Sequence, residues 1–81
     1  MTISRNLKDL RRLSGLTQEQ VAEKVGLTRQ AISSYESGRT QPDLAMLEKL
    51  AAVYGVELTD VLYGAGQRQR ALRFWRRAPF V

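Results

Sequence analysis

The sequence predicts an all-α domain of five short helices, followed by a basic C-terminal tail. Two observations predict this class: five runs of apolar residues have helical spacing, and glycine or proline stands between successive runs. A chain of 81 residues without cysteine has room for one core and no disulfide to staple it. We therefore expect one helical domain over residues 1–64 and a tail, possibly helical, over residues 65–81.

The first three helices are expected between residues 3 and 37. Helix one should cover Ile3–Leu13, where apolar side chains recur at helical spacing on one face: Ile3, Leu7 and Leu10. Helix two should cover Gln18–Val25, because Thr17 can cap it and Gln20, three residues later, completes a capping box. Helix three should cover Arg29–Ser37, which follows a second threonine cap.

Helices two and three are joined by a short turn. Gly26 stands where a chain leaving a helix needs a positive φ, which glycine adopts at little cost. Ala22 is small where helix three must cross closely, and the residues expected to form the buried wedge are Val21, Val25, Ile32 and Tyr35. This arrangement predicts a helix-turn-helix, a motif that binds DNA.

Two more helices complete the predicted core. Pro42 disfavours helix at Gln41, so residues 39–43 should form a loop. Asp43 can cap helix four, whose predicted apolar face is Leu44, Leu47, Leu50, Ala51 and Tyr54, with Gly55 at its end. Helix five should be short, covering Leu58–Tyr63.

Composition argues against catalysis and metal binding. The chain has no cysteine and no histidine, so the usual thiolate nucleophile, general base and metal ligands are missing. We therefore expect no enzyme activity, no catalytic residue, no metal and no cofactor. The sequence contains neither a signal-peptide pattern nor a long apolar run, which predicts a cytoplasmic protein.

The net positive charge of the chain comes from the tail. Up to Tyr63 the chain carries eight basic and eight acidic side chains, so the formal net charge of +5 comes from five arginines after residue 64. A neutral DNA-binding domain cannot rely on bulk attraction. It must place a few cations on phosphates and use polar side chains to distinguish base edges.

The pattern over residues 7–64 resembles the Cro and phage-repressor type of helix-turn-helix regulators. The residues that carry the resemblance are Leu16, Thr17, Gln18, Val21, Ala22, Val25, Gly26, Thr28, Ile32, Tyr35, Glu36, Gly38, Arg39, Thr40, Pro42 and the stretch 47–55. The resemblance implies that helix three enters the major groove and presents its first residues to base edges. The positions so implied are Thr28, Arg29, Gln30, Ser33 and Ser34.

Helical geometry places Arg29, Gln30, Ser33 and Ser34 together, since residues three and four apart share a face. Arginine can bond guanine O6 and N7, and glutamine can bond adenine N6 and N7. The alternative for this face is ordinary solvation.

The resemblance also assigns positions to the DNA backbone and to the scaffold. Gln18 would bond a phosphate and brace Gln30, and Arg39 would reach the backbone or the minor groove. Apart from the resemblance, Ser37, Thr40 and Gln41 are weaker candidates for phosphate contacts. Glu36 would pair with Arg11, joining helix one to helix three, and Arg11 would also lie near a phosphate. For Gln18 the plain alternative is a good helix former beside a cap.

Three explanations are open for the tail, where residues 67–77 could form a helix that Pro79 would end. It could contact a second subunit through Leu72, Phe74 and Trp75, which we favour because aromatic residues are enriched at interfaces. It could follow the DNA backbone as a basic arm. It could also lie on an anionic membrane, as basic amphipathic helices do.

The sequence therefore predicts a double-stranded DNA-binding transcriptional regulator. We expect a repressor that binds a palindromic operator as a homodimer, because one half-site offers few contacts. Alternatives are a restriction-modification controller, an antitoxin-like regulator, or a protein-interaction module that keeps the fold without binding DNA.

Overall fold

In a computed structural model, residues 2–64 form five α-helices and, within that range, no strand. The helices are α1 Ile3–Leu13, α2 Gln18–Val25, α3 Arg29–Ser37, α4 Leu44–Tyr54 and α5 Leu58–Tyr63. The predicted all-α class with five helices is confirmed, and each helix has the predicted bounds. The tail and its candidate contacts Leu72, Phe74 and Trp75 lie outside the described residues.

The five helices bury one apolar core. Its buried members are Leu7, Leu10, Val21, Ala22, Ile32, Leu47, Leu50, Ala51, Tyr54 and Val61. Helix α1 packs against α3, α4 and α5, and α2 packs against α3 and α4. Because α1 touches three other helices, it links the helix-turn-helix to the C-terminal half of the domain.

Three residues expected in the core lie at its edge or beyond it. Val25 and Tyr35 are only partly buried and pack against the core from outside. Leu44 was predicted on the buried face of α4, but it is 59% exposed. It is the first residue of that helix, one turn before Leu47, and therefore lies beyond the edge of the core.

Local signals at the helix ends form the turn between α2 and α3. Thr17 accepts a hydrogen bond from the backbone N–H of Gln20, whose side chain accepts one from the N–H of Thr17. Gly26 closes α2 with φ +73°, a left-handed conformation that glycine tolerates best. Thr28 then caps α3 by accepting from Ala31 N at 3.2 Å. The turn thereby sets where the first residues of α3 face.

A buried asparagine ties the first helix to the last. Asn6 is 2% exposed, and its Nδ2 donates to the carbonyl oxygen of Val61 at 2.8 Å. The sequence analysis did not single out this residue, because its partner is a backbone carbonyl 55 positions away. The bond joins α1 to α5 across the core.

Candidate nucleic-acid interface

The start of α3 presents polar side chains to solvent. Thr28, Arg29 and Gln30 are exposed, whereas Ser33 and Ser34, one turn later, are half-buried. Ile32, on the opposite face, is 1% exposed and belongs to the core. The helix is therefore held by its apolar face, and the five positions implied for base contact lie along its other side.

The far end of α3 carries a buried ion pair with α1. Arg11 Nε donates to Glu36 Oε2 at 2.6 Å, and Arg11 Nη2 donates to Glu36 Oε1 at 3.0 Å. The two side chains are 13% and 4% exposed. Arg11 Nη1 also donates to the carbonyl oxygen of Leu16 at 2.9 Å, an acceptor for which the sequence holds no signal.

The ion pair alters the acid–base behaviour of its surroundings. The hydrogen bond that Arg11 donates to Glu36 raises the pKa of the Arg11 guanidinium, and burial opposes this rise. Burial raises the pKa of the nearby Tyr54 phenol to about 12, with the Glu36 carboxylate adding to the rise and Arg11 opposing it. The Glu36 carboxylate thus favours the charged form of Arg11 and the neutral form of Tyr54.

Gln18, the first residue of α2, connects the buried pair to the exposed start of α3. Its Nε2 donates to Glu36 Oε1 at 3.1 Å, and its Oε1 accepts from Arg29 Nη1 at 3.3 Å. The structure thus places the Gln18 side chain against Arg29, and the brace to Gln30 that the resemblance implied stays a prediction. With one amide N–H bonded to Glu36, the amide oxygen faces Arg29, and an oxygen acceptor suits a cation.

A cleft of about 440 Å³ opens beside this connection. Its lining residues are Arg11, Gly15, Leu16, Thr17, Gln18, Glu19 and Arg29. The N-terminus of α2 faces it, where the backbone N–H groups of Gln18 and Glu19 have no carbonyl partner within the helix. Free N–H groups and the positive end of a helix dipole together suit a phosphate oxygen.

The last residue of α3 and the loop that follows it lie at the other end of the candidate surface. Ser37, Arg39 and Thr40 are exposed, and Gly38 closes the helix with φ +80°. The Ser37 hydroxyl donates to the carbonyl oxygen of Ser34 at 3.2 Å, and the Arg39 backbone N–H donates to the same carbonyl at 3.0 Å. The backbone here is held while the side chains of Arg39 and Thr40 stay accessible.

Other kinds of site were sought in the same part of the chain. Among residues 2–64, no group of three or more acidic, cysteine or histidine side chains is placed to hold a metal ion. None of the five helices has the length and apolar character needed to cross a bilayer.

The helix-turn-helix family model matches residues 7–61 of this chain. A helix-turn-helix-type transcriptional regulator of Methanocaldococcus jannaschii is 42% identical over 55 residues, which span 68% of this chain and 83% of that protein. The chain belongs to the helix-turn-helix family. It is of the transcriptional-regulator class and not an enzyme, as the sequence predicted.

Two further similarities are to a phage repressor and to a regulator whose structure was solved with DNA. The immunity repressor of Bacillus phage phi105 is 34% identical over 62 residues, covering 76% of this chain and 43% of that protein. The solved structure of SinR, a master regulator for biofilm formation, in complex with DNA has 30% identity and a TM-score of 0.68. That match covers 74% of this chain and 97% of the SinR chain. The similarity to the phage immunity repressor confirms the predicted resemblance to phage repressors.

The chain is shorter than many of its relatives. It spans between 30% and 54% of the length of several longer bacterial regulators. What those proteins do as a whole therefore comes to this chain only as a proposal.

Proposed function

We propose that this protein is a transcriptional regulator that binds double-stranded DNA sequence-specifically with α3 in the major groove. The observation that carries the proposal is the accessible polar start of α3, held by the buried core face of the same helix. The similarity to SinR, which was solved in complex with DNA, supports the same ligand. We propose the cytoplasm as its site of action, because its target would be genomic DNA.

The residues divide into two kinds of DNA contact. We propose base-edge contacts from the exposed start and the outer side of α3, made by Thr28, Arg29, Gln30, Ser33 and Ser34. We propose phosphate contacts at both ends of the motif, made by Gln18, Arg11, Ser37, Arg39 and Thr40. Arg11 uses three of its five N–H groups on Glu36 and Leu16, which leaves two for a phosphate.

Action as a repressor on a palindromic operator is the second part of the proposal. One copy of α3 offers few base contacts, so two copies on half-sites about one helical turn apart would supply the needed discrimination. The similarity to a phage immunity repressor supports repression. We propose residues 65–81, with Leu72, Phe74 and Trp75, as a separate segment that contributes to pairing.

Selection of binding sites from randomised duplex DNA at moderate salt tests the proposal. A two-fold symmetric enriched site is the expected result, since it would require paired copies that distinguish bases. Binding without enrichment would contradict base recognition by α3. The affinity would then be attributed to the arginines of the tail. Absence of binding would overturn the regulator and favour a protein-interaction module that kept the fold.

A further inference from the structure

The basic side chains of the domain are concentrated on α1. This helix carries four of the eight cations found up to Tyr63 and one of the eight acids, Asp9. Residues 40–64, which include α4 and α5, carry one cation and four acids. The domain is therefore neutral in sum but polarised, with its excess of positive charge on the first helix.

Three of these cations form a row on the outside of α1. Arg5, Lys8 and Arg12 are spaced three and four residues apart, so they share one face of the helix. All three are exposed, and among residues 2–64 their side chains form neither an ion pair nor a hydrogen bond. We call these three residues the α1 basic row. Arg11, the fourth cation of the helix, is instead bonded to α3.

The α1 basic row lies beside the C-terminal end of α3. The Ser4 hydroxyl lies against Gly38, so that a Cβ at Gly38 would stand 3.5 Å from the Ser4 oxygen. Lys8 follows Ser4 by four residues and precedes Arg11 by three, so it is the neighbour on α1 of both side chains that contact α3. A cleft of about 300 Å³ opens at this junction, and its lining residues are Ser4, Arg5, Lys8, Asp9, Arg12 and Glu36.

We propose that the α1 basic row binds phosphates of the DNA backbone and extends the phosphate contacts proposed for Arg39 and Thr40. The inference rests on the proposed function, because it requires DNA to lie along α3. Continuity favours this ligand, since Arg39 and Thr40 follow Gly38 directly and Gly38 meets α1. Exposed cations at this place would supply the local positive charge that a neutral domain needs for phosphates.

The two carboxylates that line the cleft differ in what they do to this charge. Glu36 is 4% exposed and accepts two bonds from Arg11, so its charge is already paired. Asp9 is exposed and forms no ion pair with any of residues 2–64. Asp9 is therefore the acid that weakens the positive potential of the row, and its removal should strengthen binding to DNA.

The salt dependence of binding tests the contact. Lys8→Gln removes the cation of the row nearest to α3 and keeps a long polar side chain. Each phosphate contact contributes about 0.9 to the slope of log affinity against log salt. We therefore expect Lys8→Gln to lower the slope by about 0.9 and to weaken binding about three- to tenfold at about 100 mM salt, equally on the selected site and on scrambled duplex. Lys49→Gln, which removes the same charge from an exposed position on α4, should change neither.

Asp9→Asn tests the same contact with a change of opposite sign. Removing one negative charge beside the row should strengthen binding to both duplexes about two- to fivefold at low salt, and the gain should shrink as salt screens it. Glu48→Gln, which removes an exposed carboxylate from α4, is the matched control and should bind like the wild type. A variant that has lost its fold cannot bind more tightly, so the gain reports on charge.

Two results would overturn the inference. One is unchanged affinity and salt slope in both Lys8→Gln and Asp9→Asn, which would make the row a solvated face or a site for an acidic protein. The other is a loss in folded Lys8→Gln that is confined to the selected site, because phosphates are common to all sequences. Thermal unfolding shows whether each variant is folded.

Failure of the proposed function gives a different result. A wild-type chain without site preference would refute base recognition by α3, while the loss from Lys8→Gln would persist on both duplexes. A wild-type chain that binds no duplex would overturn both proposals.

Discussion

The two ends of α3 use polar side chains in opposite ways. At its C-terminal end Glu36 is 4% exposed and accepts three hydrogen bonds, two from Arg11 and one from Gln18. At its N-terminal end Arg29 and Gln30 are exposed, and Arg29 makes one side-chain bond, at 3.3 Å. One helix of nine residues thus carries a satisfied group that holds it in place and accessible groups that can meet a ligand.

The contrast resolves why an acid stands on a helix proposed to face DNA. An exposed carboxylate would repel phosphates, but the Glu36 carboxylate is buried and paired with a cation. Its negative charge is paired with Arg11 of α1, and it also accepts a hydrogen bond from Gln18 of α2. Substitutions at the buried C-terminal end of α3 should mainly lower the free energy of unfolding. Substitutions at its exposed N-terminal end should change only DNA binding.

The largest effect is expected from breaking the ion pair on one side. Arg11→Leu leaves the Glu36 carboxylate buried without its cation, which should lower the free energy of unfolding by about 3 kcal/mol. Replacing both residues by leucine removes the unpaired charge and should recover part of the loss. Urea unfolding of the three proteins measures this.

A double variant no more stable than Arg11→Leu alone would contradict that account. Arg12→Leu is a matched control, because Arg12 is the next residue of α1 and is exposed. It should change stability by less than about 0.5 kcal/mol.

An effect of intermediate size is expected at alkaline pH. The pKa of Tyr54 is raised to about 12 in the folded protein, so the folded state holds this proton more tightly than the unfolded state. Its contribution is therefore fully present below about pH 10 and is lost as the pH rises toward 12, by about 2–3 kcal/mol at most.

Tyr54→Phe tests this sign. Its stability should fall less than that of the wild type between pH 9.5 and pH 11.5, as measured by denaturant unfolding at each pH. Parallel losses in the two proteins would show that other groups cause the alkaline destabilisation. Substitutions at the exposed N-terminal end of α3 should not change the difference in stability between Tyr54→Phe and the wild type.

Much of the fold could be predicted because its signals are local. Threonine caps, the glycine after α2 and the proline before α4 act within one helical turn, and all five helix bounds follow from such features. Leu44 was misplaced because helical spacing identifies the apolar side of a helix but not where the neighbouring helices stop.

The site was predicted less completely, because its contacts join distant elements. The pairing of Arg11 with Glu36 came from resemblance, and its geometry came from the structure. The acceptor role of the Leu16 carbonyl and the bond from Asn6 to Val61 involve backbone atoms, which side-chain patterns cannot show. The bond between Gln18 and Arg29 was not predicted, because the orientation of the Gln18 amide depends on two neighbours from α3.

The most direct test of the central claim is the binding of Arg29→Ala to the selected site and to scrambled duplex. Arg29 lies at the exposed end of α3, so its loss should weaken specific binding by about 1–3 kcal/mol and relax the choice of guanine at one position. Lys49→Ala removes the same charge from an exposed position on α4, which is not packed against α3, and should bind like the wild type. Equal weakening on both duplexes, with the guanine preference intact, would contradict the claim that the start of α3 distinguishes bases.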